Sequence, residues 1–239
     1  MRRACHLNNY GGGVPRENSR LAFNAGLFKK TTRGNYTIAV AFHNMGTVSV
    51  EAGSLTFLNA SGNTGTLSVS NGATLIVGGP FTNLGTLKGN GTFTRTGGTP
   101  LNNSGTISPG NSPGSITING NYEQTATGTY KVELASSQSF DTLHVMGGMK
   151  LDGTLNIVSL GGYNPVVGDT FTIATFDDSF PNTSDLTGSF VNLVWNGFAP
   201  GIGFAASYFA HSVVLKIAAS VAGSRAAGSH TTLRWLLIL

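Results

Sequence analysis

A Gly-Thr-apolar triplet recurs along the middle of the chain. It begins at Gly46, Gly65, Gly85 and Gly105, in steps of 19, 20 and 20 residues, and later copies begin at Gly128 and Gly153 after steps of 23 and 25. A fixed period of this size marks stacked structural units. The flanks repeat as well. Phe42-His-Asn44-Met-Gly46-Thr-Val48 aligns with Phe81-Thr-Asn83-Leu-Gly85-Thr-Leu87 and with Leu101-Asn-Asn103-Ser-Gly105-Thr-Ile107, and Asn63-Thr-Gly65-Thr-Leu67 keeps Asn two residues before Gly.

Between the turns lie short polar/apolar alternations: Thr47-Val-Ser-Val50, Ser54-Leu-Thr-Phe57, Thr66-Leu-Ser-Val69 and Ser115-Ile-Thr-Ile118. A period of two buries one face of a strand. Twenty residues suffice for one coil of two or three such strands, so the repeat predicts a parallel β-solenoid in which like residues stack on like. Glycine then serves the corners through positive φ, and an Asn repeated at one corner builds a ladder of side-chain amides. The competing all-β arrangement is a sandwich or barrel, which also uses many short strands but requires no constant step. From about Tyr122 the strands lengthen, as in Gly128-Thr-Tyr-Lys-Val-Glu-Leu134 and Asp169-Thr-Phe-Thr-Ile-Ala174. A solenoid exposes an apolar end unless something covers it, so this region is expected to continue or cap the stack. The expected divisions are an irregular basic stretch over 1–32, coils of about 20 residues over 33–121, a C-terminal solenoid or cap region over 122–219, and an irregular tail over 220–239.

Charge follows the same divisions. The calculated pI is 9.4, yet only 10 % of residues are charged. Residues 1–33 carry seven basic side chains and one acid, and the tail adds Arg225 and Arg234; residues 34–220 carry five basic side chains against nine acids. The basicity therefore belongs to the ends. A nucleic-acid footprint needs Lys and Arg clustered on a folded face, and no such partner is expected. The lone Cys5 excludes an intramolecular disulfide framework. No apolar run is long enough for a membrane-spanning helix, Leu233-to-Leu239 included, and Met1-to-Asn9 lacks the apolar core of a signal peptide.

Chemical motifs are sparse. Gly110-Asn-Ser112-Pro-Gly114 matches a hydrolase elbow, but the residue after the serine must donate an oxyanion-hole N–H, and Pro113 has none. Gly201-Ile-Gly203-Phe-Ala-Ala206 mimics a dinucleotide fingerprint, but a strand follows it and no acid lies beyond Asp185. Asp177-Asp178, with Asp141, Asp169 and Asp185, supplies acids that could line a groove. Glycoside hydrolysis needs two carboxylates flanking the bond, and the spacing here does not establish them. His6, His43, His144, His211 and His230 are scattered, with His144 pointing outward between Leu143 and Val145. Trp195 is expected in the core or its cap. A Thr ladder such as Thr92-Phe-Thr94 could build a surface-binding face, although Thr falls mostly near corners. No catalytic, cofactor-binding or metal-ligating residue is assigned.

The stretch Gly105-Thr-Ile-Ser-Pro-Gly-Asn-Ser-Pro-Gly-Ser-Ile-Thr-Ile-Asn-Gly-Asn-Tyr122 resembles a segment of bacterial autotransporter passenger domains. The following Gly128-to-Leu134, Phe140-Asp-Thr-Leu-His-Val145, Leu151-Asp-Gly-Thr-Leu-Asn-Ile157 and Val167-Gly-Asp-Thr-Phe-Thr-Ile173 are similar to the same family. The resemblance covers roughly residues 33–218. It implies a right-handed parallel β-helix, exported and displayed or shed at a Gram-negative surface, and a fragment or mis-bounded gene of a larger protein. Such modules are stalks or adhesins without catalytic residues. Environmental or host glycans, proteins or further copies of the chain are the expected partners. A polysaccharide-active β-helix lyase or hydrolase, using acids around Asp177 and Asp178, is the alternative.

Overall fold

The computed structural model describes residues 21–110, 112–177 and 186–219, and every regular element in it is a strand. Each coil lays down three short strands, and successive coils stack them in parallel into three faces. The first, here the ladder face, runs from Leu21–Asn24 through the second half of Asn35–Asn44 and of Ser54–Asn63 to Thr82–Asn83, Leu101–Asn103, Tyr122–Gln124, Met149–Leu151 and Leu186–Gly188. A second sheet, the nine-stranded face, stacks Leu27–Lys30, Thr47–Val50, Thr66–Val69, Thr86–Gly89, Thr106–Pro109, Thr129–Ser136, Thr154–Ser159 and Asn192–Asn196, with Ser139–Phe140 antiparallel beside it. The closing face begins with the first halves of Asn35–Asn44 and Ser54–Asn63 and continues through Thr74–Val77, Thr92–Arg95, Ser115–Asn119, Thr142–Val145 and Thr170–Phe176. This is a parallel β-solenoid. Eight strands at about 4.8 Å spacing make a rod of roughly 34 Å along the nine-stranded face.

Alternation along each strand sends every second residue inside. Thr47–Val50, Thr66–Val69 and Thr74–Val77 share one pattern, with half-buried Thr, Ser or Ile76 alternating with buried Val or Leu. The register then turns these positions into columns. Val48, Leu67, Leu87, Ile107, Tyr130 and Leu155 stack in one interior row. Leu55, Leu75, Phe93 and Ile118 form another. All of these are at most 2 % exposed, so one unbroken apolar core runs along the rod axis.

Two kinds of glycine shape the corners. Between the nine-stranded and closing faces, Gly34, Gly53 and Gly72 have φ of 93°, 66° and 72°, where a side chain would be strained. The repeated triplet glycine answers a different need. A Cβ on Gly46, Gly65, Gly85 or Gly105 would lie 2.0–2.2 Å from the carbonyl oxygen of the coil below. Positive φ was expected there, but of the six triplet glycines only Gly153 has it. Close backbone approach between coils excludes a side chain at this corner.

Inside that corner stands the amide ladder. Asn24 Nδ2 donates to Asn44 Oδ1 at 2.8 Å, Asn44 to Asn63 at 2.6 Å, Asn63 to Asn83 at 2.6 Å and Asn83 to Asn103 at 2.7 Å. Each of the first four also donates to the carbonyl two residues on, as Asn83 does to Gly85 at 3.1 Å. Asn44, Asn63, Asn83 and Asn103 are buried within the corner, where an unpaired amide would be costly, and each is satisfied by its neighbours. Asn103 Nδ2 then donates to the Tyr122 hydroxyl at 3.2 Å, and that hydroxyl donates to Gln124 Oε1 at 3.1 Å. Gln124 Nε2 ends the chain on the carbonyls of Gly128, Asp152 and Thr154.

Residues 21–32, expected to be irregular, contribute the strands Leu21–Asn24 and Leu27–Lys30 to the stack. Lys30 occupies an inward position in register with Val50. Its stem is buried, and its ammonium donates to the carbonyls of Thr32, Gly34 and Ala52. At the far end, Ser212–Ala219 adds antiparallel to Thr170–Phe176, and Ile202–Phe209 pairs with it as a hairpin. Phe204 of that hairpin packs on Trp195 and Phe198, with ring centroids 5.8 and 4.8 Å away.

Candidate functional site

The register makes regular polar arrays of the outward positions. On the nine-stranded face Thr47, Thr66, Thr86, Thr106, Thr129 and Thr154 form one column. Beside it run Ser49, Ser68, Lys88 and Ser108, and further along the rod Lys131 pairs with Asn156. On the closing face Ser54, Thr74, Thr92 and Thr117 stack in register, next to Thr56, Ile76, Thr94 and Asn119. Threonine was expected mostly at corners. It stands instead within the strands, because each triplet Thr is the first strand residue after its corner glycine. β-Branching holds these side chains stiffly at χ1, so the faces are pre-set arrays of hydroxyl and methyl groups.

Three lysines are paired locally with glutamates. Lys29 meets Glu51 at 2.7 Å, Lys150 meets Glu123 at 2.7 Å, and Lys131 meets Glu133 at 2.5 Å. Burial works to raise the Glu133 pKa, but the hydrogen bond and charge of Lys131, helped by Ser112, hold it below the ordinary range.

The acids singled out by sequence do not come together. Asp141 is fully buried. Its Oδ1 accepts the Gly114 N–H at 2.7 Å and its Oδ2 accepts the Glu133 N–H at 3.0 Å. Desolvation pushes its pKa up to about 7, against the pull of those two N–H groups. Asp141 thereby fastens the 112–114 turn to the strand Thr129–Ser136. The elbow motif is accounted for by this contact: Ser112 sits at φ 58°, and the next N–H after it, that of Gly114, is taken by Asp141. Asp169 accepts the Val166 N–H at 2.9 Å and closes the loop before its strand. Asp178 and Asp185 lie outside the described residues, as do Cys5, His6 and His230.

Asp177 meets a partner the spacing did not reveal. Its Oδ2 is 3.6 Å from His144 Nε2, and His144 Nδ1 is 2.9 Å from Thr175 Oγ1. The three share the outer side of two adjacent strands because His144 pairs with Thr175 and Asp177 is two residues further on. The imidazole is within hydrogen-bond distance of the Thr175 hydroxyl alone, since 3.6 Å to Asp177 is too long for a hydrogen bond, so the three groups do not form a connected proton relay. They stand on an open face, with the His144 and Asp177 side chains 37 % and 50 % exposed. His43 packs edge-on against Phe23, at 6.0 Å between ring centroids, and His211 lies at the hairpin tip beside Phe176. Among the described residues no three His, Cys, Asp or Glu side chains converge as a metal site would require. No helix of the described residues is long and apolar enough to cross a membrane.

The sequence signals for the Thr columns and the outer rungs of the ladder were present but weak. Asn24 lacks the Gly-Thr-apolar flank, and Tyr122 and Gln124 replace asparagine with other hydrogen-bonding side chains. Compared with models of protein families, the chain matches none, and no curated protein matches it significantly.

Proposed function

We propose that the chain is a non-enzymatic, adhesin-like β-solenoid module of a bacterial surface or secreted protein of the autotransporter type, displayed at or shed from a Gram-negative outer membrane. The observation that carries this reading is the continuous in-register column of Thr47, Thr66, Thr86, Thr106, Thr129 and Thr154 on a rigid sheet. A repeated surface of this kind offers the same weak contact at each coil, so binding grows by avidity and needs no single pocket. Glycans, surface proteins or another copy of the rod are the partners such a surface suits. The resemblance of Gly105-to-Tyr122 to passenger domains supports export.

The test compares monomeric protein with protein clustered on beads, over an array of glycans and on whole cells. Clustered protein is expected to bind where the monomer does not, and Thr66→Lys with Thr106→Lys is expected to abolish that binding. A release of new reducing ends from a polysaccharide, lost in His144→Ala or Asp177→Asn, would replace this reading with the polysaccharide-active alternative.

A further inference from the structure

Four Asn-Gly pairs lie in the described residues: Asn71-Gly72, Asn90-Gly91, Asn119-Gly120 and Asn196-Gly197. Asn-Gly is the dipeptide in which the following backbone nitrogen most readily attacks the asparagine carboxamide. The glycine nitrogen bonds to Cγ, the Cγ–Nδ2 bond breaks, and ammonia leaves with the proton from the glycine N–H. Solvent water then opens the cyclic imide at either carbonyl, giving aspartate or isoaspartate. The attack needs a free glycine N–H and a backbone able to rotate.

Three of the pairs are closed to it. Asn90 and Gly91 both donate their N–H groups to Val69 O, at 2.9 and 3.0 Å, and a Cβ on buried Gly91 would lie 2.4 Å from Val69 Cγ1. Asn119 is paired in its strand with Thr94, and Gly120 is buried against Arg95. Asn196 and Gly197 are exposed and Gly197 has φ 80°, but Asn196 is held in its strand by pairing with Val158, its carboxamide donates to Asn156 Oδ1 at 3.4 Å, and a Cβ on Gly197 would lie 3.2 Å from Ser159 Cβ.

Asn71-Gly72 is open. The two residues form the exposed centre of a turn closed by Ala73 N donating to Ser70 O at 3.0 Å. Gly72 has φ 72° and nothing within 4 Å of its Cβ position, and its N–H donates to no backbone carbonyl among the described residues. The peptide between them can therefore rotate without disturbing a neighbouring coil. We propose that Asn71 is a self-modifying site of the folded rod, converting to aspartate and isoaspartate in water and placing a new negative charge on this corner. The new carboxylate stands one coil from Glu51, since Ser70 N donates to Val50 O, and marks the age of each molecule.

Peptide mapping by mass spectrometry, on full-length protein held at mildly alkaline pH, tests this. Closed pairs react only through local opening, so conversion at Asn71 is expected to exceed each of the other three by about tenfold or more. Asn71→Gln is expected to remove the acidic form that accumulates in wild-type protein. In denaturant, where the fold no longer selects, the four rates are expected to converge. Comparable rates at two or more pairs in the folded protein, or unmodified Asn71 after the unfolded chain has reacted, would overturn the proposal.

Discussion

Replacing Asn83 with Ala tests the amide ladder where it is most enclosed. Asn83 is fully buried. It accepts from Asn63 at 2.6 Å and donates to Asn103 at 2.7 Å, with Gly85 O as a further acceptor at 3.1 Å. The substitution leaves one Asn63 N–H and the Asn103 Oδ1 without those partners, in a corner too tight for a Cβ on Gly85. Each buried group left unpaired costs ~1–3 kcal/mol, so the expected loss is about 4 kcal/mol. A rod of stacked coils need not unfold in one step. Urea unfolding should therefore be followed both by far-UV circular dichroism and by protease cutting near each end. Leu84→Ala, one residue on and 60 % exposed, is the control, with an expected change within about 0.5 kcal/mol. If ladder bonds act as a unit, Asn63→Ala with Asn83→Ala should cost less than the two single losses added together. A loss at Asn83→Ala no larger than at Leu84→Ala would refute the claim that the ladder holds the corner.

Other outcomes follow from the same geometry. Gly85→Ala puts a methyl 2.0 Å from Gly65 O, against the backbone of Thr64 and Gly65 in the coil below, so urea unfolding should show a loss of at least ~1–3 kcal/mol. Tyr122→Phe removes the hydroxyl between Asn103 and Gln124 and should lower stability by about 1–3 kcal/mol in the same assay. Asp141 has a folded pKa of about 7, above its ordinary 3.8, so the folded state binds the extra proton between those values. Its contribution to stability is fully present below about pH 3.8 and is lost as pH rises through 7. The melting temperature of wild type relative to Asp141→Asn should therefore fall from pH 5 to pH 8, and a difference that is flat or rises would contradict the assignment.

Much of the fold was legible because stacking repeats the same local problem in every coil. The triplet at Gly46, Gly65, Gly85 and Gly105 gave the period, and the Asn two residues before each gave the ladder. The reason for that glycine was not legible, since crowding by the coil below is a contact across about 20 residues of chain. The coil that holds Leu27–Lys30 was hidden because Lys29 and Lys30 interrupt an apolar alternation, although the Lys30 stem and its ammonium fill an inward position as well as Val50 does. Past Tyr122 insertions vary the step, and with it the pairing that sets His144 beside Thr175 and Asp177. The turn held by Asp141 was illegible for the same reason: Gly114 and Asp141 are joined by register, not by any local motif.

Disulfide mapping across coils tests the central claim of in-register parallel stacking most directly. In a Cys5→Ser background, Thr66→Cys with Thr86→Cys places the two thiols on directly paired positions. Parallel neighbours stand about 4.8 Å apart, within the Cα range of about 4.4–6.8 Å that a disulfide accepts. Thr66→Cys with Lys88→Cys shifts one thiol by two residues along the strand, to about 8 Å. The solenoid predicts rapid, near-complete crosslinking of the first pair and little of the second under mild oxidation. Equal crosslinking of both pairs, or of neither, would contradict the stacking on which the fold and its surface arrays depend.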